Sequence, residues 1–220
     1  MDLSYHSLFK LEHNSFSTKG FAWASGYRPV PGRKSFIHPA EIERMEEFFR
    51  LNPEPPGIHI DGGYRWPDFL GQGGGGLVRF FVSERVLSSL QRHGIEYLDA
   101  TEYPIALIAD RRLKAANAPR YFVLEAVPEL EVDWVRMGYP VDALGNPRFD
   151  EVPRGWQPGF RSFKHDSWSG RDLVGELRDP TAVYGSARLA LIGGKERWTN
   201  FTVEGAGRFP QFLGSRPDAP

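Results

Sequence analysis

The chain has 220 residues, with 27 basic and 28 acidic side chains for a formal charge of -1, so no general basic field exists to hold a polyanion. Its 16 Phe, 8 Tyr and 6 Trp supply enough apolar bulk for a core, and 24 Gly with 18 Pro announce many turns. There is no Cys, which excludes disulfides, thiolate metal sites and a Cys nucleophile. No basic-then-apolar leader and no apolar run of membrane length is present, so a cytoplasmic protein is the expectation.

In chain order, SLFKLEHNSF suggests a short strand entering a loop, and GYRPVPGRKS reads as loop. A helix is expected over 39–51, where Pro39 suits the first turn, Ile42, Met45 and Phe49 share a face, and Asn52-Pro53 stops it. Residues 52–76 read as a long connection, so 1–76 form a loop-rich N-terminal region with one helix. LVRFFV reads as a buried strand, Ser83 as a helix cap, Val86, Leu87 and Leu90 as a buried stripe, and Gly94 as the stop. IEYLDATEYPIALIA holds one or two strands. RYFVLEAVPELEVDW is a strand candidate in which Pro128 marks a bulge, edge or break.

The last unit repeats the order of the first: AVYGS as strand and cap, RLALIGGKER as a poor helix, WTNFTVEG as strand. A shift of 103 residues aligns Ser83 with Ser186, Arg85 with Arg188, Val86 with Leu189 and Leu98 with Phe201. Residues 77–208 thus form an α+β domain with two strand–helix–strand units, and 209–220 a tail. The expected fold is a twisted, mainly antiparallel sheet with two or three helices packed on one side.

Candidate chemistry is sparse. His59 and Asp61 would face the same side of a strand, and a second His with a carboxylate brought in by folding would make a site for a metal-dependent hydrolase. QGGGGL lacks the Lys and Ser/Thr of a phosphate loop and precedes a strand, so it reads as a connection. The six Trp could line the cleft of a ligand- or sugar-binding module. From Tyr121 to Glu151, seven acids stand against two bases, which suits a docking face for a basic protein.

Two stretches, LVRFFVSERVLSSLQRHGIEYLDATEYPI and SWSGRDLVGELRDPTAVYGSARLALIGGKERWTNFTVEG, together resemble the myxobacterial-type immunity proteins of polymorphic toxin systems. The S-E-R-V helix start, the closing WTNF and Asp172-Leu173-Val174 before the last unit carry the likeness over roughly 77–204. That group is related to double-CXXCG proteins, but without Cys a zinc knuckle does not transfer. The resemblance implies a non-enzymatic protein that binds a cognate toxin encoded nearby, with no catalytic residue, cofactor or metal. A nuclease toxin would suit, since its basic groove complements an acidic face. Glu125, Glu129, Glu131, Asp133 and Asp142 are then the candidate polar contacts, with Trp134 and Tyr139 as aromatic anchors. Gly193-Gly194 stand where a better helix former is expected.

Overall fold

The computed structural model describes residues 8–12, 20–28, 30, 50, 55–72, 80–153, 161–164, 166–179 and 182–204. The strands are β1 (Leu8–Glu12), β2 (Trp23–Arg28), β3 (Gly57–Gly62), β4 (Phe69–Gln72), β5 (Phe81–Ser83), β6 (Asp99–Tyr103), β7 (Ile105–Ile108), β8 (Tyr121–Glu125), β9 (Val127–Leu130), β10 (Leu173–Glu176), β11 (Val183–Ser186) and β12 (Thr202–Glu204). The helices are α1 (Glu84–Arg92) and α2 (Ala187–Glu196). The helix expected over 39–51, the QGGGG run and the tail lie outside the described residues, apart from helical Arg50 and Gln72 at the end of β4.

The fold is α+β, with two sheets in place of one. Seven strands run in the order β6-β8-β5-β4-β2-β3-β7 and five in the order β12-β1-β11-β10-β9. Most pairings are antiparallel; β2 with β4, β3 with β7 and β9 with β10 are parallel. The expected boundary at residue 76 does not divide these sheets, because β1 lies in the second and β2, β3 and β4 in the first. The strand candidate around 120–134 also divides. The chain leaves β8 in one sheet, passes Ala126, and enters β9 at the edge of the other. Pro128, which has no N–H to donate, sits on that edge strand.

The faint repeat in the sequence is a structural duplication. The five-strand order β6-β8-β5-β4-β2 in one sheet matches β12-β1-β11-β10-β9 in the other, position for position and with the same strand directions. The register agrees too. Phe69 faces Val82 and Leu70 faces Phe81, as Leu173 faces Gly185 and Val174 faces Tyr184. Tyr121 opposes Ser83, as Leu8 opposes Ser186. In chain order each half therefore runs strand, strand, hairpin, helix, strand. The first strand of each half is exchanged: β1 completes the sheet of the second half and β8 completes that of the first.

Burial follows this arrangement. A central cluster takes Val82, Val86, Leu90 and Leu124 from one half and Leu11, Leu189, Ile192 and Trp198 from the other. The opposite face of each sheet has its own cluster, around Ile58, Phe81 and Tyr121 in the first and around Leu8, Leu130 and Tyr184 in the second. Burial of apolar area, at roughly 25 cal/mol per Å², drives both layers.

Gly193 of α2 has a packing reason. A Cβ on Gly193 would lie 2.7 Å from Phe201 Cε1 and 2.8 Å from Trp198 Cε3. The counterpart of Gly193 in α1 is Leu90, followed by the smaller Ile95 where the second half has Trp198. Bulk missing from the helix is thus restored by an indole. Gly194 has open space around its Cβ position.

Candidate partner-binding surface

Both helices begin on the same polar device. Ser83 and Ser186 have extended backbones and accept the N–H of Val86 (3.4 Å) and Leu189 (3.2 Å). The Ser83 hydroxyl donates to Asp68 Oδ1 at 2.9 Å and the Ser186 hydroxyl to Asp172 Oδ1. Arg85 forks onto Asp68, and Arg188 bonds Asp172. The halves differ at one point. Thr199 gives its N–H (2.8 Å) and hydroxyl (2.9 Å) to Asp68 Oδ2, whereas its counterpart Glu96 pairs with Arg171 at 3.0 Å. Burial opposes the charge on Asp68, but Arg85, Thr199 and Ser83 outweigh it and hold its carboxyl below the ordinary range.

The halves diverge most after β9. Where β3 and β7 extend the first sheet beyond β2, the second sheet ends at β9. The chain leaves it as a looped segment over 131–151, tied down by 161–164. Asp133 N–H donates to Ser162 O (2.9 Å) and Lys164 N–H to Glu131 O (2.8 Å), around the antiparallel bridge of Val132 with Phe163. Within this segment Trp134, Tyr139 and Phe149 form an edge-to-face triad with centroids 5.3 to 5.6 Å apart, and Arg161 lies 5.3 Å over Trp134. Arg161 is in turn held by buried Glu176, which also accepts the Tyr184 hydroxyl at 2.7 Å.

Four large apolar side chains stand out from this support: Val135 is 68% exposed, Leu144 85%, Phe149 59% and Leu177 54%. Trp134, Leu144 and Leu177 line a pocket of about 220 Å³ with Leu130, Val132, Glu131, Gly145 and Arg178. Its size suits one inserted side chain. An apolar patch over a rigid aromatic base with a polar rim has the make-up of a protein-docking centre.

The sequence candidates fall unevenly around it. Trp134 lines the pocket, and Tyr139 buttresses Trp134. Glu131 lines the pocket and is paired with Lys164. Glu129 is turned to Ser169 and to Arg171 at 2.9 Å. Asp133 caps the following turn by accepting Arg136 N–H at 2.9 Å. Asp142 accepts the N–H groups of Leu144 and Asn146, both at 2.8 Å, and the Asn146 amide holds its carboxyl below the ordinary range. Glu125 lies elsewhere, on β8 opposite Asp99 in the other sheet. Folding thus gives Glu129, Glu131, Asp133 and Asp142 local donors and places Glu125 apart from them. The pocket residues Leu144 and Leu177 were missed. Leu144 had a weak signal, as a lone large apolar residue inside the turn-forming DALGN.

The other candidates are distributed. His59 is buried, with Nε2 2.7 Å from Pro55 O, while Asp61 is exposed. Among the described residues no group of three His, Asp or Glu is placed to hold a metal ion. His6, His13, His38, His165 and Trp156 lie outside the described residues. Trp198 packs in the central cluster, Trp66 against the first outer cluster, and Trp134 and Trp168 against the second.

The architecture defines an internally duplicated α+β protein with one half elaborated by the looped segment 131–151. Compared with known proteins, the chain matches no family model and no curated protein. Among the described residues no helix is long and apolar enough to cross a membrane.

Proposed function

We propose that this is a non-enzymatic binding protein that neutralises a cognate toxin in the cytoplasm, the role of the immunity proteins its sequence resembles. The carrying observation is that exposed Leu144 and Leu177 line one pocket with Trp134, against which exposed Phe149 packs, at the place where the internal repeat breaks down. Residues common to both halves maintain the fold, and the added segment is free to vary with its partner. An apolar side chain of the toxin fills the pocket, and the charged Glu131 and Arg178 in its lining give the contact its polar complement.

The test is co-expression with the product of the adjacent reading frame, read by pull-down and by growth rescue. The native chain is expected to form a complex and restore growth, and Leu144→Glu with Leu177→Glu to lose both while remaining folded. No complex and no rescue by the native chain would overturn the proposal.

A further inference from the structure

Three exposed cations without an ion-pair partner among the described carboxylates, Arg65, Arg111 and Lys114, stand in two neighbouring loops. The turn at 63–66 and the loop 110–114 meet at Tyr64, which is half exposed. The Arg65 guanidinium lies 5.5 Å and that of Arg112 5.8 Å from the Tyr64 ring centre. Arg65, Arg111 and Lys114 are exposed, and none makes an ion pair with any described carboxylate. Arg112 is engaged by Asp110 at 2.5 Å. Even counting exposed Asp61, the four cations leave this patch at a net charge of +2 within a chain of net charge -1.

The patch is built on a fixed backbone. Tyr64 and Arg65 both donate their N–H to Gly20 O (2.8 and 3.1 Å), Ala22 N–H donates to Arg65 O (2.7 Å), and Trp66 Nε1 donates to Lys114 O (3.3 Å). Gly63 must be glycine for this turn, with φ +104 and a Cβ position only 2.5 Å from Phe21 O. A fixed backbone leaves only the side chains to be ordered when an anion binds.

From these contacts we infer a second docking surface, centred on Tyr64 and lined by Arg65, Arg111 and Lys114, that takes an acidic segment of a partner protein. It does not rest on the toxin-neutralising reading and is separate from the Trp134 pocket. Carboxylates suit the site better than a nucleic acid does. Two guanidiniums already lie within 6 Å of the single exposed ring, and among the described residues of the patch no second exposed ring stands beside it to stack a further base.

The experiment is fluorescence anisotropy of a labelled Glu/Ser peptide against the full chain at low ionic strength, with a labelled oligothymidine as the second probe. Saturable peptide binding that weakens with salt is expected. R65E/R111E/K114E should weaken it roughly tenfold or more, and R136E/K195E/R197E, which alters the same number of exposed charges elsewhere, less than about twofold. The milder R111Q/K114Q should weaken it about threefold and guards against misfolding of the triple variant. Equal loss in both triple variants, no saturable binding by the native chain, or tighter binding of oligothymidine than of the peptide would each overturn the inference.

Discussion

Arg85 and Arg188 are counterparts that hold the two halves together by the same contact made twice. Arg85 bonds Asp68 of its own half and donates to the carbonyls of Glu196 (2.9 Å) and Arg197 (3.1 Å) at the C-terminus of α2. Arg188 bonds Asp172 and donates to His93 O (2.7 Å) at the C-terminus of α1. Each guanidinium thus links the cap of its own helix to the carbonyl end of the other, where a cation also meets the helix dipole. His93 and Glu196 are themselves counterparts and meet at 3.2 Å, which places the internal two-fold relation between them.

Removing either link should loosen both halves. Arg85→Ala is expected to destabilise the protein by about 1–2 kcal/mol, discounted because the guanidinium is half exposed, yet it leaves the shielded Asp68 without its cation. Arg188→Ala should cost less, about 1 kcal/mol, since Asp172 is more open to water. Urea denaturation measures both, and equal or negligible effects would contradict the account.

The same cluster sets an acid dependence. Because the folded Asp68 carboxyl lies below its ordinary value, its contribution is present above the unfolded carboxylate range, near pH 4, and disappears as pH falls through the lowered folded value. Asp68→Asn should lower stability at neutral pH and flatten the loss of stability on the acid side. Denaturation midpoints between neutral and acid pH read this out. An unchanged acid slope in the variant would refute it.

Helix propensity and packing make opposite predictions at two adjacent glycines. Gly193→Ala should destabilise by about 1–3 kcal/mol because its methyl would strike Trp198 and Phe201, despite the better propensity of Ala. Gly194→Ala, into open space, should stabilise by about 0.5–1 kcal/mol. Thermal melts of the two variants give the signs directly.

Strand exchange predicts that connectivity can be rewired. β12 lies antiparallel beside β1 with Lys10 opposite Glu204, as β6 lies beside β8. A circular permutant opened near Ala118, with a Gly/Ser linker joining the region after β12 to that before β1, should fold with a native far-UV spectrum and a cooperative melt. A chain that stays unfolded would show that the halves are not interchangeable units.

Local patterns in the sequence determined what local physics controls. Ser83 and Ser186 announced helix caps because a cap is a short-range bond between a side chain and an N–H three residues on. The stripe of Val86, Leu87 and Leu90 announced a buried helix face, and the matching spacing of Ser, Arg and an apolar residue hinted at the duplication. Tertiary structure decided the rest. Nothing local says that β1 joins the second half's sheet and β8 the first, because strand pairing depends on partners outside any local window: Leu8 meets Ser186 and Tyr121 meets Ser83. Nor does composition say which carboxylates stay available: Glu129 and Glu131 are met by Arg171 and Lys164, which fold in from distant segments. Exposure of Leu144, and the cations left around Tyr64, are likewise properties of how the loops were brought together, since burial and ion pairing are decided by three-dimensional neighbours and not by the order of the chain.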